Sequence, residues 1–137
     1  MSAKKIKTAQ IDKVEYLKYW HKAQEFFEVA EDCLINNKWN AAALSAIHSA
    51  ISANDAVLVF FHGVKSTSSK HDDAIRLLQT LSQHEKTKEN ALRLQRLINS
   101  KHIVEYESRL FTQKESENLH KQAQRFLEWV KSILPIK

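Results

Sequence analysis

Apolar residues along this chain recur at spacings of three and four, and no segment sustains an alternation of apolar and polar positions. That period belongs to helices with one buried side. Tyr16, Trp20, Ala23, Phe27, Ala30 and Leu34 share such a side, and Tyr19, Phe26 and Cys33 widen it. Lys13, Lys18, Lys22, Glu25, Glu28 and Asp32 occupy the opposite one, so a first helix is predicted from about Asp12 to Asn37. The polar run from Asn36 to Asn40 reads as its connection, with Asn40 placed to cap the next helix.

The second predicted helix, from about Ala41 to His62, has a different texture. Ala41, Ala42, Ala43, Ala46, Ala50, Ala53 and Ala56 leave room for neighbours on several sides, while Ile47, Ile51, Val57, Leu58 and Phe61 fill volume. A helix apolar nearly all round belongs at the centre of a bundle. Gly63 follows as a C′ residue. After a loop from Lys65 to Ser69, Ser68 or Ser69 is placed to cap a third helix with Asp72 and Asp73 in its first turn. Its apolar stripe is Ala74, Leu77, Leu78 and Leu81. A break near His84, Glu85 and Lys86 precedes a fourth helix through Ala91, Leu94, Leu97 and Ile98. Thr112 and Glu115 have the spacing of a capping box for a fifth, which repeats Leu119, Ala123, Phe126, Val130 and Ile133 up to Pro135.

Composition sharpens this picture. One glycine and one proline in 137 residues leave few places for sharp turns. The expectation is all-α: a single up-and-down bundle of about five helices over residues 11–137, preceded by a flexible basic arm over residues 1–10. The longest apolar run, Ala56 to Phe61, is far short of a bilayer span, and no apolar stretch follows the N-terminal lysines Lys4, Lys5 and Lys7. No membrane association is expected, and the cytoplasm is the default location. The lone Cys33 excludes an internal disulfide and a cysteine-built zinc site, and its place on a helix face suits core packing. A net charge of +5 permits contact with nucleic acid or another polyanion without requiring it.

Candidate chemistry concentrates in two places. Ser45, His48, Ser49, Ser52, Asp55 and His62 fall along one side of the second helix, whereas Asn54 falls among its apolar residues and is expected to bond as a core amide. His48 and Asp55, two turns apart, are suited to sharing a ligand, or they line the helix's wet side. The segment from Arg93 to Glu107 is the densest polar stretch with an interleaved apolar face. His-x3-His pairs, HExxH, phosphate loops and nucleophile elbows are all absent, so neither metal nor cofactor is expected.

The alanine-rich second helix closed by Gly63, the run Ser69-Lys70-His71-Asp72-Asp73-Ala74-Ile75-Arg76-Leu77-Leu78, and Lys101-His102 followed by Glu105-Tyr106-Glu107 together resemble the HEPN domain. The likeness covers roughly Trp39 to Leu134. It implies a small helical bundle that dimerises around a cleft for nucleotide or RNA, lined here by His48, Asp55, His71, Lys101, Glu105 and Tyr106. It also implies an alternative: a metal-independent endoribonuclease of toxin–antitoxin or abortive-infection systems, with Arg96 and His102 as the catalytic pair. In that case His102 takes the proton, Arg96 or Lys101 holds the phosphate, and Tyr106 positions the sugar or stacks on a base. Family members without the pair act as binding modules beside a nucleotidyltransferase or antitoxin partner, for which Trp39 and Trp129 are candidate docking aromatics. Five residues separate Arg96 from His102, but Leu97 stands where a polar residue usually follows the arginine, and Tyr106 lies four after His102. Six positions along an unbroken helix also turn the two side chains about 120° apart. Whether the chain is an enzyme therefore stays open at this level.

Overall fold

Small side chains let helix backbones come close, and the chain places most of its alanines in one helix. The computed structural model describes residues 6–67, 71–81 and 84–136. These form β1 (Thr8–Gln10), a 3-10 turn (Lys13–Glu15), α1 (Tyr16–Ile35), α2 (Trp39–His62), β2 (Val64–Ser66), α3 (His71–Leu81), α4 (Thr87–Tyr106) and α5 (Gln113–Ile133). The fold is an all-α bundle carrying one small two-stranded sheet. Helix α2 is its axis, packed against α1, α3, α4 and α5. Ala42, Ala43, Ala46, Ala50, Ala53 and Ala56 are fully buried there. Ile47, Leu58, Leu78, Leu94, Leu97 and Phe126 supply the volume around them. By length and composition α2 is the one helix among the described residues apolar enough to cross a membrane. The other helices bury 61% of its most apolar stretch, as they would for a core helix.

The helix ends follow local chemistry. Gly63 closes α2 at φ 63°, a left-handed conformation that costs a side chain roughly 1–2 kcal/mol. Thr112 and Glu115 form the expected capping box at the start of α5, and the C-cap Leu134 beside Pro135 ends that helix. Asn37 and Lys86 take positive φ at the α1–α2 and α3–α4 connections. The serine caps expected for α3 lie outside the described residues, as does the side chain of Leu81.

Several expectations need correction. Helix α1 begins at Tyr16, because Asp12 accepts from the Val14 N–H and caps a 3-10 turn instead. Helix α2 starts at Trp39 without a side-chain cap. Asn40 is engaged elsewhere: its Oδ1 accepts the Phe111 N–H at 2.9 Å and ties the α4–α5 connection to α2. Residues 8–10, read on composition as part of a flexible arm, pair antiparallel with β2 in the register Thr8–Ser66, Ala9–Lys65 and Gln10–Val64. Strands of three residues are too short to show alternation. Ser49 is fully buried and donates to the Ala46 carbonyl at 2.6 Å, so it leaves the polar edge of α2. Trp129 is buried, its indole N–H donating to the Glu85 carbonyl at 3.2 Å, and Trp39 packs half-buried against the core. Neither is an exposed docking aromatic.

Asn54 meets the expectation of a bonded core amide only in part. It is 1% exposed, and its Nδ2 donates to the Ala74 carbonyl of α3 at 3.4 Å, while its buried Oδ1 has no hydrogen-bond partner among the described residues.

If close approach across α2 organises the bundle, Ala50→Leu will be costly. Overpacking there is expected to lower stability by about 1–3 kcal/mol or more, read from urea denaturation. A surface change such as Ala41→Leu, at the exposed first turn of α2, should change it by less than about 0.5 kcal/mol.

Candidate functional site

Helix α4 runs unbroken from Thr87 to Tyr106, so residues four apart in its last turns sit one above the other. Lys101 and Glu105 use this spacing for an ion pair, with Lys101 half-buried and Glu105 at the exposed side. His102 and Tyr106 use it for a ring contact, with centroids 5.2 Å apart and both residues exposed. The first turn of α3 meets this end of α4. Gln95 Nε2 donates to Asp72 Oδ1 at 2.9 Å and to Asn99 Oδ1 at 2.8 Å, holding the two helices in register. Between them lies a groove of about 570 Å³ lined by His71, Asp72, Ile98, Asn99, Lys101, His102 and Tyr106.

His48 projects from α2 beside this groove. Burial lowers its pKa first, then the Lys101 ammonium, with a smaller contribution from His71, while Glu105 pulls the other way. His71 is lowered by burial first and by Lys101 second, against Glu105 and Asp72. Both imidazoles are thus held neutral more firmly than a free histidine, each with one donor and one acceptor nitrogen. Glu105 is shifted down by its hydrogen bond to Lys101, so that carboxylate stays ionised.

His48, His71, Lys101, Glu105 and Tyr106 are therefore brought together from three helices. Arg96 is not: it is exposed and absent from the groove lining, separated from His102 by the continuity of α4. Within one chain the cation beside His102 is Lys101. Asp72 and Asn99 belong to the groove but were not singled out from sequence. In the sequence Asp72 reads as a favourable charge in the first turn of α3, and only the packing of α3 on α4 brings it to the same groove as Asn99.

Asp55 is also elsewhere. It faces a second groove, of about 440 Å³, between α1, α2 and β2, lined by Tyr19, Lys22, Glu25, Phe26, Val29, Ser52 and Lys65. Its carboxylate is 13% exposed, with Lys65 Nζ at 3.9 Å. Lys65 reaches it because β1 holds β2 along the bundle. Phe26 stands between the two grooves, its ring 5.6 Å from that of His48. No group of three or more histidines, cysteines or acids placed to hold a metal ion occurs among the described residues.

A helical bundle with a polar groove at the end of one helix pair defines a broad class, and comparison with known proteins narrows it. The HEPN domain model matches residues 16–133, and the chain belongs to that family. No curated protein sequence matches it.

Burial raises the Asp55 pKa from 3.8 to about 6 despite the opposing pull of Lys65 and Lys22. The folded state thus holds this proton more tightly than the unfolded chain does, and stability contributed by the protonated form is lost as pH rises between those values. The groups facing Asp55 are Lys22 and Glu25 of α1, Ser52 of α2 and Lys65 of β2. Asp55→Asn, which cannot ionise, is expected to gain on the wild type by roughly 2–3 kcal/mol between about pH 3.5 and pH 7.5. Chemical denaturation of both proteins at the two pH values measures this, and parallel pH profiles would contradict it.

Proposed function

We propose that this HEPN-domain chain works as a homodimer that binds a nucleotide or RNA in the α3–α4 groove. The observation that supports it most is the meeting of His71, Lys101, His102 and Tyr106 on one concave surface. Lys101 supplies a cation for a phosphate, and His71 and His102 supply ring N–H donors for its remaining oxygens. Tyr106, 73% exposed, offers a flat face for a base. The overall charge of +5 adds a sequence-independent attraction. The chain would occupy the cytoplasm, with a nucleotidyltransferase or antitoxin as protein partner.

Cleavage is the second reading. His102 would activate the ribose hydroxyl, Lys101 would hold the phosphate, and Arg96 would have to arrive from a second copy of the chain. Growth arrest on expression, abolished by His102→Ala, would support it. An unaffected host with intact RNA would remove it.

Binding is tested by fluorescence anisotropy with a single-stranded RNA over a series of salt concentrations. Lys101→Ala is expected to weaken binding about fivefold, equivalent to ~1 kcal/mol, and to reduce the salt slope by about 0.7. Glu105→Gln, which releases Lys101 from its partner, should tighten binding. An unchanged slope in Lys101→Ala would place the phosphate elsewhere.

The dimer is tested separately by sedimentation, which should give a mass near twice 15.9 kDa. A monomer at tens of micromolar would exclude it.

A further inference from the structure

The groove around Asp55 has a chemistry of its own. Its carboxylate makes no hydrogen bond among the described residues and has only the Lys65 ammonium, at 3.9 Å, as an ion-pair partner. A mostly buried acceptor with that little company calls for donors from whatever fills the cavity. The walls are aromatic and aliphatic: Tyr19, Phe26 and Val29. At the rim, the ammonium groups of Lys22 and Lys65 both lie near the Tyr19 ring, 5.4 and 5.2 Å from its centroid. With Glu25 also in the lining, the two ammonium groups are balanced by two carboxylates, and the lysine beside Asp55 disfavours a charged amine as its partner. The cavity of about 440 Å³ falls within the range of small-molecule sites.

The occupant thus needs a flat apolar body with two adjacent neutral donors at the edge that meets Asp55. We propose that this pocket receives a guanine base, with Asp55 accepting its ring N–H and exocyclic amine together. Guanine places these two donors side by side, matching the two oxygens of one carboxylate. Adenine sets an acceptor beside its amine, and uracil flanks its single N–H with two carbonyls, so each turns a lone pair toward Asp55. Stacking on the aromatic walls adds affinity without selecting among bases. Phe26 lines this pocket and touches His48, which neighbours Lys101 and His71. A strand bound in the α3–α4 groove would therefore have the base pocket on the adjoining face. The proposal rests on the nucleotide-or-RNA reading above and gives it a base preference.

The test is equilibrium binding, at about pH 7.5 and low salt, of three RNA pentamers: uridines alone, and uridines with a central guanosine or a central adenosine. Wild type is expected to bind the guanosine pentamer at least about fivefold tighter than the adenosine one. Guanosine and adenosine monophosphates, run in parallel, show whether the pocket takes a free nucleotide or needs a strand. Asp55→Asn presents one donor and one acceptor, the match for adenine, and should lose or invert the preference. Lys22→Gln, at the exposed rim, should weaken all three pentamers alike and leave the preference intact. Equal binding of the three pentamers by wild type overturns the base pocket alone, as does a guanosine preference that survives in a folded Asp55→Asn protein. Absence of binding to every RNA and nucleotide overturns the groove reading and this proposal together.

Discussion

Everything in this bundle depends on how closely other helices approach α2. Six of its alanines are fully buried, and each replaces a bulky side chain that would hold a neighbour away. Because α1, α3, α4 and α5 all pack against that one axis, the polar edge of α2 is carried into grooves between neighbours. His48 and Asp55 owe their partial burial to this geometry. Buried ionisable groups on a central helix are costly in stability, and the cost appears as displaced pKa values.

Burial and pairing act in opposite directions on different groups. His48, His71 and Asp55 are all pushed toward their neutral forms, with burial the leading cause in each. Glu105 and Glu115 are pushed toward ionisation, because Lys101 and Arg109 respectively hydrogen-bond to them. Glu115, with a pKa lowered to about 2, serves the capping box of α5. The groups shifted toward neutrality border the two grooves instead. A neutral imidazole exchanges protons and hydrogen-bonds in both senses, whereas a half-desolvated carboxylate discriminates sharply between donors and acceptors.

Membership in the HEPN family accounts for the fold and leaves the chemistry to particular residues. The Arg96–His102 spacing reads as a catalytic pair only while α4 is free to bend between them. Its continuity to Tyr106 separates the two within one chain and leaves Lys101 as the cation beside His102. Under the proposed reading the groove holds a phosphate, and a cleavage centre that used Arg96 with His102 would need a second copy of the chain.

Helix positions, the central role of α2, the Gly63 stop, the Thr112–Glu115 box and the buried Asn54 were all legible in the sequence. Each depends on periodicity or on contacts within a few residues, which a one-dimensional pattern records. The N-terminal strand, the use of Asn40 by the Phe111 N–H, the burial of Trp129 and the division of His48 from Asp55 were not. These depend on partners far along the chain: Ala9 with Lys65, Asn40 with Phe111, Glu85 with Trp129. Sequence alone determined which residues would be helical and which face of each helix would seek the interior. Tertiary structure decided which polar residues share a groove, because that depends on the angle and register at which helices meet, and no local spacing encodes either.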